Sequence, residues 1–188
     1  MTLPAPAQPS RRYVLASTAA AAALLGVGVS WWRLHGEGSD SPVSGADVQE
    51  PVAGFWASQW TTPAGGTLPM SGFKGRPLLI NFWATWCPPC VEELPLINTF
   101  YLQHKAAGWQ VLGLAVDGAS AVNKFLEKMP LAFPVALAAM SGVELGRNLG
   151  NLTGGLPFSV ALSADGRVLQ RKMGRLTSDD LAAWSALK

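Results

Sequence analysis

The sequence predicts an α/β domain in which helices flank a mixed central sheet. Three observations carry the prediction. From residue 78 onward, short apolar runs alternate with stretches of helical periodicity. A hairpin signal and a capped helix close the chain, and that order calls for a sheet with parallel and antiparallel neighbours. With 49% hydrophobic and only 14% charged residues among 188, the chain has the apolar surface to bury a core, which excludes a disordered protein. The 14 basic and 12 acidic residues nearly balance at +2, so no nucleic acid partner is expected.

The fold begins after about 50 residues. Arg11, Arg12 and Arg33 are the charges of residues 1–36, whereas residues 37–50 hold only Glu37, Asp40, Asp47 and Glu50. Between the basic groups, Tyr13 to Trp32 is 20 residues without a charge. As a helix at about 1.5 Å per residue it spans roughly 30 Å, the thickness of a bilayer core. A buried soluble helix is the alternative, but basic flanks, a terminal position and Trp31-Trp32-Arg33 as an interfacial anchor favour the membrane. Basic residues ahead of the run place residues 1–12 in the cytoplasm and all that follows Trp32 outside. Ser10-Arg11-Arg12-Tyr13-Val14-Leu15 also looks like a twin-arginine export signal, and both export routes fit. Gly28 and Ser30 would suit cleavage after Ser30, yet no Ala-x-Ala stands there, which favours a retained anchor over a cleaved signal. Residues 33–51, rich in Gly, Ser and acids, read as a linker, and residues 52–188 as the folded domain.

Within that domain, Leu78 to Trp83 is a continuous apolar strand, introduced by Gly75-Arg76-Pro77. A helix follows from Pro88 to Ala107, with a stripe of Leu94, Ile97, Tyr101 and Leu102 and a stop at Gly108. Trp109 to Val116 reads as a buried strand, Ala121 to Lys128 as a helix, Pro134 to Ala138 as a short strand and Val143 to Leu149 as a helix. Pro157 to Leu162 and Arg167 to Met173 are strands joined by Ser163-Ala164-Asp165-Gly166, a hairpin turn. Leu176 to Leu187 is a final helix capped by Thr177 or Ser178, with Asp179 and Asp180 at the positive end of its dipole.

The chemistry lies between the first strong strand and its helix. Cys87 and Cys90, the only two cysteines, open that helix as Trp86-Cys87-Pro88-Pro89-Cys90. Prolines are tolerated in the first turn, where a missing N–H costs little. Free backbone N–H groups and the helix dipole there stabilise a thiolate on Cys87, below the roughly 8.5 of an ordinary thiol. Cys90, one turn deeper, is placed to attack a mixed disulfide formed at Cys87. A structural disulfide is the competing reading, but so short a loop adds little stability. Half a metal site is another, but His35 and His104 are poorly placed as further ligands. No cofactor and no metal centre is expected.

The run Asn81 to Pro95, NFWATWCPPCVEELP, resembles the active-site stretch of membrane-anchored, thioredoxin-like thiol–disulfide oxidoreductases of the TlpA, ResA and CcmG type, within the redoxin family. The likeness extends over residues 52–188 and includes Phe73-Lys74-Gly75-Arg76-Pro77 and Gly155-Leu156-Pro157. It implies a thioredoxin fold with an inserted helix-strand unit, matched here by about Ala119 to Ala139. It further implies a cis proline facing the cysteines, at Pro157, whose preceding backbone at Leu156 grips the substrate chain. Strand-edge placement is the plainer role for that proline. Glu93 matches an acid that the family keeps near its cysteines to tune or relay protons, against the simpler role of complementing the helix dipole. Asn81 stands where cytoplasmic thioredoxins carry a buried acid.

Trp86, Pro88 and Pro89 are expected to line the substrate surface with Leu156 and Pro157, whereas Phe82 and Trp83 belong to the core. Pro95 should kink the helix. Arg171, Lys172 and Arg175 read as a solvated basic face. The expected activity is reduction of disulfides in extracytoplasmic client proteins by the Cys87/Cys90 dithiol. The resemblance implies apocytochrome c as one client. An oxidising compartment supplies no electrons, so a membrane donor must return them to the pair. The protein is expected to be a monomer held in the inner (cytoplasmic) membrane by the apolar segment, with its catalytic domain in the periplasm or outside the membrane. A dithiol oxidase of the same fold and a non-enzymatic copper chaperone are the alternatives.

Overall fold

The computed structural model describes residues 51–187. The assigned cytoplasmic segment 1–12, the apolar segment 13–32 and the linker as far as residue 50 lie outside the described residues. Among the described residues, no helix is long and apolar enough to cross a membrane.

The apolar run at residue 78 forms β3 (Leu78–Trp83), and all six of its residues are buried. An unbroken apolar strand has to be covered on both faces, and β3 lies inside a seven-stranded mixed sheet whose order is β2 (Thr67–Pro69), β1 (Gln59–Thr61), β5 (Val135–Leu137), β4 (Gln110–Ala115), β3, β6 (Phe158–Leu162), β7 (Val168–Met173). It runs parallel to β4 (Gln110–Ala115), with Asn81 level with Gly113 and Trp83 level with Ala115. It runs antiparallel to β6 (Phe158–Leu162), with Phe82 level with Phe158. Beyond β4 lies the parallel strand β5 (Val135–Leu137), and beyond β6 the antiparallel strand β7 (Val168–Met173).

Alternation along β3 sorts its side chains onto two cores. Leu78, Ile80 and Phe82 join Leu112, Leu114, Leu145, Leu149 and the aromatic rings of Phe55, Trp56 and Phe73 on one face. Leu79 and Trp83 join both cysteines, Leu94, Ile97, Phe100, Trp109, Leu181 and Trp184 on the other. The second face is covered by α1 (Pro88–His104), α2 (Ala119–Lys128) and α4 (Ser178–Ser185); the first carries α3 (Ala139–Asn148). Leu94 and Ile97 have no exposed surface, and burying each such side chain contributes about 1.5–3 kcal/mol, which seats α1 on the sheet.

The observed elements follow the expected order, with informative differences. Helix α1 gives way after His104 to a 3-10 turn, Lys105–Ala107, and Gly108 ends it with φ of 99°, a left-handed conformation that suits glycine. The expected insertion is α2 and β5. Helix α4 starts two residues later than Leu176 because Thr177, in extended conformation, is its N-cap and forms a reciprocal capping box with Asp180, while the Leu176 N–H donates to the Glu93 side chain. The hairpin of β1 (Gln59–Thr61) and β2 (Thr67–Pro69) has no counterpart in the sequence reading. Its strands are three residues each, and only Trp60 in them is buried, so neither offers a periodic signal. The basic group Arg171, Lys172 and Arg175 is also more than a solvated face. Arg171 Nε donates to the Leu149 carbonyl at 2.5 Å, Lys172 pairs with Asp180, and Arg175 pairs with Glu92 at 2.7 Å.

Candidate active site

Residues 84–87 carry the chain from the end of β3 into α1, and Cys87 is the N-cap of that helix. The Cys87 N–H returns to the Ala84 carbonyl at 3.2 Å, a tight turn that swings Trp86 outward. Trp86 is 67% exposed while Trp83, three residues earlier, has no exposed surface. Cys87 and Cys90 are joined as a disulfide with Cα atoms 5.3 Å apart. Cys87 keeps 5% exposure and Cys90 none, so an approaching sulfur meets Cys87 first.

The helix start differs in one respect from a simple nest of free donors. Pro88 and Pro89 occupy the first two helical positions and have no N–H, and the Cys90 N–H already bonds the Cys87 carbonyl at 3.0 Å. A thiolate on Cys87 is therefore stabilised by the dipole and at most by a shared Cys90 N–H. The expectation of several free backbone donors is corrected to that.

Opposite the turn, the Leu156–Pro157 peptide bond is cis. Phe158, the next residue, pairs with Phe82, so the bond lies at the same end of the sheet as the cysteines. Leu156 is half-buried and packs against the core that contains both cysteines as well as against the opposite core. Pro88, Pro89, Trp86 and Leu152 present exposed surface at this end, Leu152 at 82%.

Beneath the pair lies a buried polar cluster. Glu93, on α1 one turn after Cys90, has no exposed surface. Its Oε1 accepts from Asn81 Nδ2 at 2.7 Å and its Oε2 from the Leu176 N–H at 2.6 Å. Asn81 Nδ2 donates also to Ser159 Oγ at 3.0 Å, while Asn81 Oδ1 has no partner. Burial pushes the Glu93 carboxyl up to about 7, against the smaller opposing effects of these hydrogen bonds and of the Arg175 and Lys172 charges. At neutral pH Glu93 thus stands near its midpoint, able to hold or release a proton under the cysteine helix. No acid stands in the first turn of α1, where dipole complementation acts, and Glu93 lies beyond it.

Sequence reasoning missed Asp117, which follows β4. Its Oδ2 accepts from Thr85 N–H at 3.1 Å and Thr85 Oγ1 at 2.5 Å, and its Oδ1 from Gly118 N–H at 2.7 Å. Partial burial acts to raise its pKa, but these hydrogen bonds outweigh it and hold the carboxyl below the usual range. A lone Asp after a strand carries no local signal of such a contact.

A mixed sheet flanked by helices, with a Cys-x-x-Cys disulfide at a helix start and a cis proline at the same end of the sheet, defines a thioredoxin-like redox domain. The chain belongs to the Redoxin family, whose model matches residues 48–183. It is 35% identical over 118 residues to the thiol–disulfide oxidoreductase ResA of Bacillus thuringiensis subsp. konkukian, covering 62% of this chain and 66% of that one. ResA of Geobacillus kaustophilus is 32% identical over 113 residues, covering 60% and 63%. The chain therefore matches slightly under two thirds of the length of these relatives. Among solved structures it is similar to StoA of Bacillus subtilis, at 26% identity and a TM-score of 0.56 over 68% of this chain and 95% of that one. A thioredoxin-related protein of Neisseria meningitidis serogroup B gives 27% and 0.58 over 65% and 92%. Fold, cysteine pair and relatives are those of thiol–disulfide oxidoreductases.

Proposed function

We propose that the protein is a thiol–disulfide oxidoreductase that reduces disulfides in client proteins outside the cytoplasmic membrane. The observation that carries this reading is the Cys87–Cys90 disulfide at the start of α1, with Cys87 reachable and Cys90 enclosed. In the dithiol form, the Cys87 thiolate attacks a client disulfide, forming a mixed disulfide and releasing one client thiolate. Cys90 then attacks Cys87, the client leaves as a dithiol, and the pair ends oxidised. Glu93 takes the Cys90 proton or returns it, and Trp86, Pro88, Pro89, Leu156 and Pro157 receive the client chain. Each turnover delivers two electrons, so a dithiol donor in the membrane must restore the pair.

The prolines support the reductive direction. A strongly oxidising pair is one whose thiolate is heavily stabilised, as with the potential of about −120 mV of DsbA against about −270 mV of thioredoxin. Pro88 and Pro89 withhold two of the donors that would give such stabilisation. The apolar run of residues 13–32 and its basic flanks support a single-pass anchor in the cytoplasmic membrane with the catalytic domain in the periplasm or otherwise outside the membrane; a haem-attachment segment of apocytochrome c is the client that the family resemblance favours.

Equilibration of the Cys87/Cys90 couple with glutathione, alongside insulin reduction, tests the reading. A potential near −270 mV and reduction that disappears in Cys87→Ser are expected. A potential near −120 mV would make the protein an oxidase, and thiol-independent insulin reduction would end the redox assignment.

A further inference from the structure

The turn that presents Cys87 is held by few contacts. Residues 84–87 have one internal backbone bond, Cys87 N–H to Ala84 carbonyl, and the Cys87–Cys90 disulfide closes the far side. When the disulfide is reduced, that second constraint is gone, and the turn must keep its shape by other means. Ladder pairing of β3 with β4 continues to the Val116 N–H, which reaches the Trp83 carbonyl at 2.7 Å. One residue further on, Asp117 takes over. Its carboxylate accepts both donors of Thr85, at 3.1 and 2.5 Å, and is itself held by the Gly118 N–H at 2.7 Å. Thr85 is two residues before the nucleophile and immediately before Trp86.

We propose that Asp117 is a positioning residue of the redox site: by clamping both donors of Thr85, it keeps the Trp86-Cys87 turn in place while the Cys87/Cys90 pair is open. The inference rests on the redox reading of the cysteine pair and extends it to a residue just after the neighbouring strand β4. Hydrogen bonds to a charged acceptor are the stronger kind, and one acceptor oxygen here fixes both the backbone and the side chain of a single residue. A turn held ready in the dithiol form raises the effective concentration of Cys87 at Cys90, so the intramolecular disulfide closes more readily. Losing the clamp costs the oxidised fold the full bond energy, because the disulfide still holds the turn, whereas the dithiol fold recovers part of that loss as freedom of the turn, so the equilibrium shifts toward the dithiol.

The test equilibrates the full chain with glutathione: dithiol protein plus oxidised glutathione gives disulfide protein plus two reduced glutathiones. Asp117→Ala is expected to lower this equilibrium constant about tenfold, and Thr85→Val, which keeps the Asp117 charge and the Thr85 N–H bond, about threefold. Thr85→Ser restores the hydroxyl donor and should return the constant to within twofold of the parent. Asp117→Asn keeps an acceptor oxygen without the charge, and is expected to stay within threefold. Oxidised Asp117→Ala should unfold within a few degrees of the parent. Unchanged constants in both Asp117→Ala and Thr85→Val would overturn the proposal, as would a tenfold fall in Asp117→Ala with no change in Thr85→Val, which would make the charge and not the clamp the cause. If Asp117→Ala does not fold, Thr85→Val against Thr85→Ser decides alone. Parent protein that does not exchange with glutathione defeats the redox reading itself, a different result from exchange that the variants leave untouched.

Discussion

Glu93→Gln offers the most direct probe of the polar cluster under the cysteines. The Glu93 side chain has no exposed surface, and its carboxyl is raised from 4.5 to about 7 chiefly by burial. Its folded pKa is higher than its unfolded one, so between those values the folded protein binds more protons than the unfolded chain. Stability then falls as pH rises through this window, is least affected below about 4.5 and carries the full penalty above about 7. The difference of 7 − 4.5 = 2.5 units corresponds to about 3 kcal/mol at most, of which about 2.5 kcal/mol develops between pH 5 and pH 8. Glutamine cannot ionise and can still accept from the Leu176 N–H. Its amide N–H₂ would face Asn81, whose unpartnered Oδ1 becomes the acceptor if the amide turns over, at the cost of the Nδ2 bond to Ser159. That exchange is worth about 1 kcal/mol against the variant. Urea unfolding of the oxidised protein at pH 5 and pH 8 should show the parent losing about 2.5 kcal/mol more than Glu93→Gln across the interval, with the variant the more stable of the two at pH 8. Parallel pH dependences would refute the reasoning and return Glu93 to an ordinary ionised carboxylate.

Other expectations concern the pair, its sheet and the last helix. Cys90→Ser should accumulate a covalent adduct between Cys87 and a disulfide client, visible as a mass shift that dithiothreitol removes; Cys87→Ser should give none. Pro88→Ser returns an N–H to the first turn and should shift the glutathione equilibrium toward the dithiol, a more oxidising couple. Gly113→Ala places a Cβ 3.1 Å from both Trp83 and Phe133 in a buried strand, and should cost about 1–3 kcal/mol in urea unfolding with the redox equilibrium unchanged. Thr177→Ala removes the N-cap of α4 and its box with Asp180, and thermal unfolding should register a loss of about 1 kcal/mol.

What the sequence made legible was local. Leu78 to Trp83 announces a strand buried on both faces, and Cys87-Pro88-Pro89-Cys90 announces a helix start with redox chemistry, because each signal is contained in a few neighbouring residues. Glu93 could be placed on the cysteine helix, but its second hydrogen-bond partner, Leu176, lies 83 residues away and appears only once the chain has folded. The same holds for Asp117, 32 residues from the Thr85 it clamps. The β1–β2 hairpin escaped because three-residue strands with a single buried side chain lack periodicity. Long-range polar contacts and very short strands are what a pattern read along the chain does not contain.

The two outermost strands of the sheet bear on how this protein meets other chains. At one margin, β2 is only three residues long and ends in Pro69, which has no amide hydrogen to offer. At the other, β7 presents Arg171 and Lys172, both engaged with their own protein. Such margins are poor templates for a stranger's backbone, so two copies have little incentive to zip into a continuous ribbon. An unfolded client trailing exposed strands would find no seam there either. For the proposed client this leaves the cysteine end, where the Leu156–Pro157 cis bond lies, as the place where main chain would meet main chain.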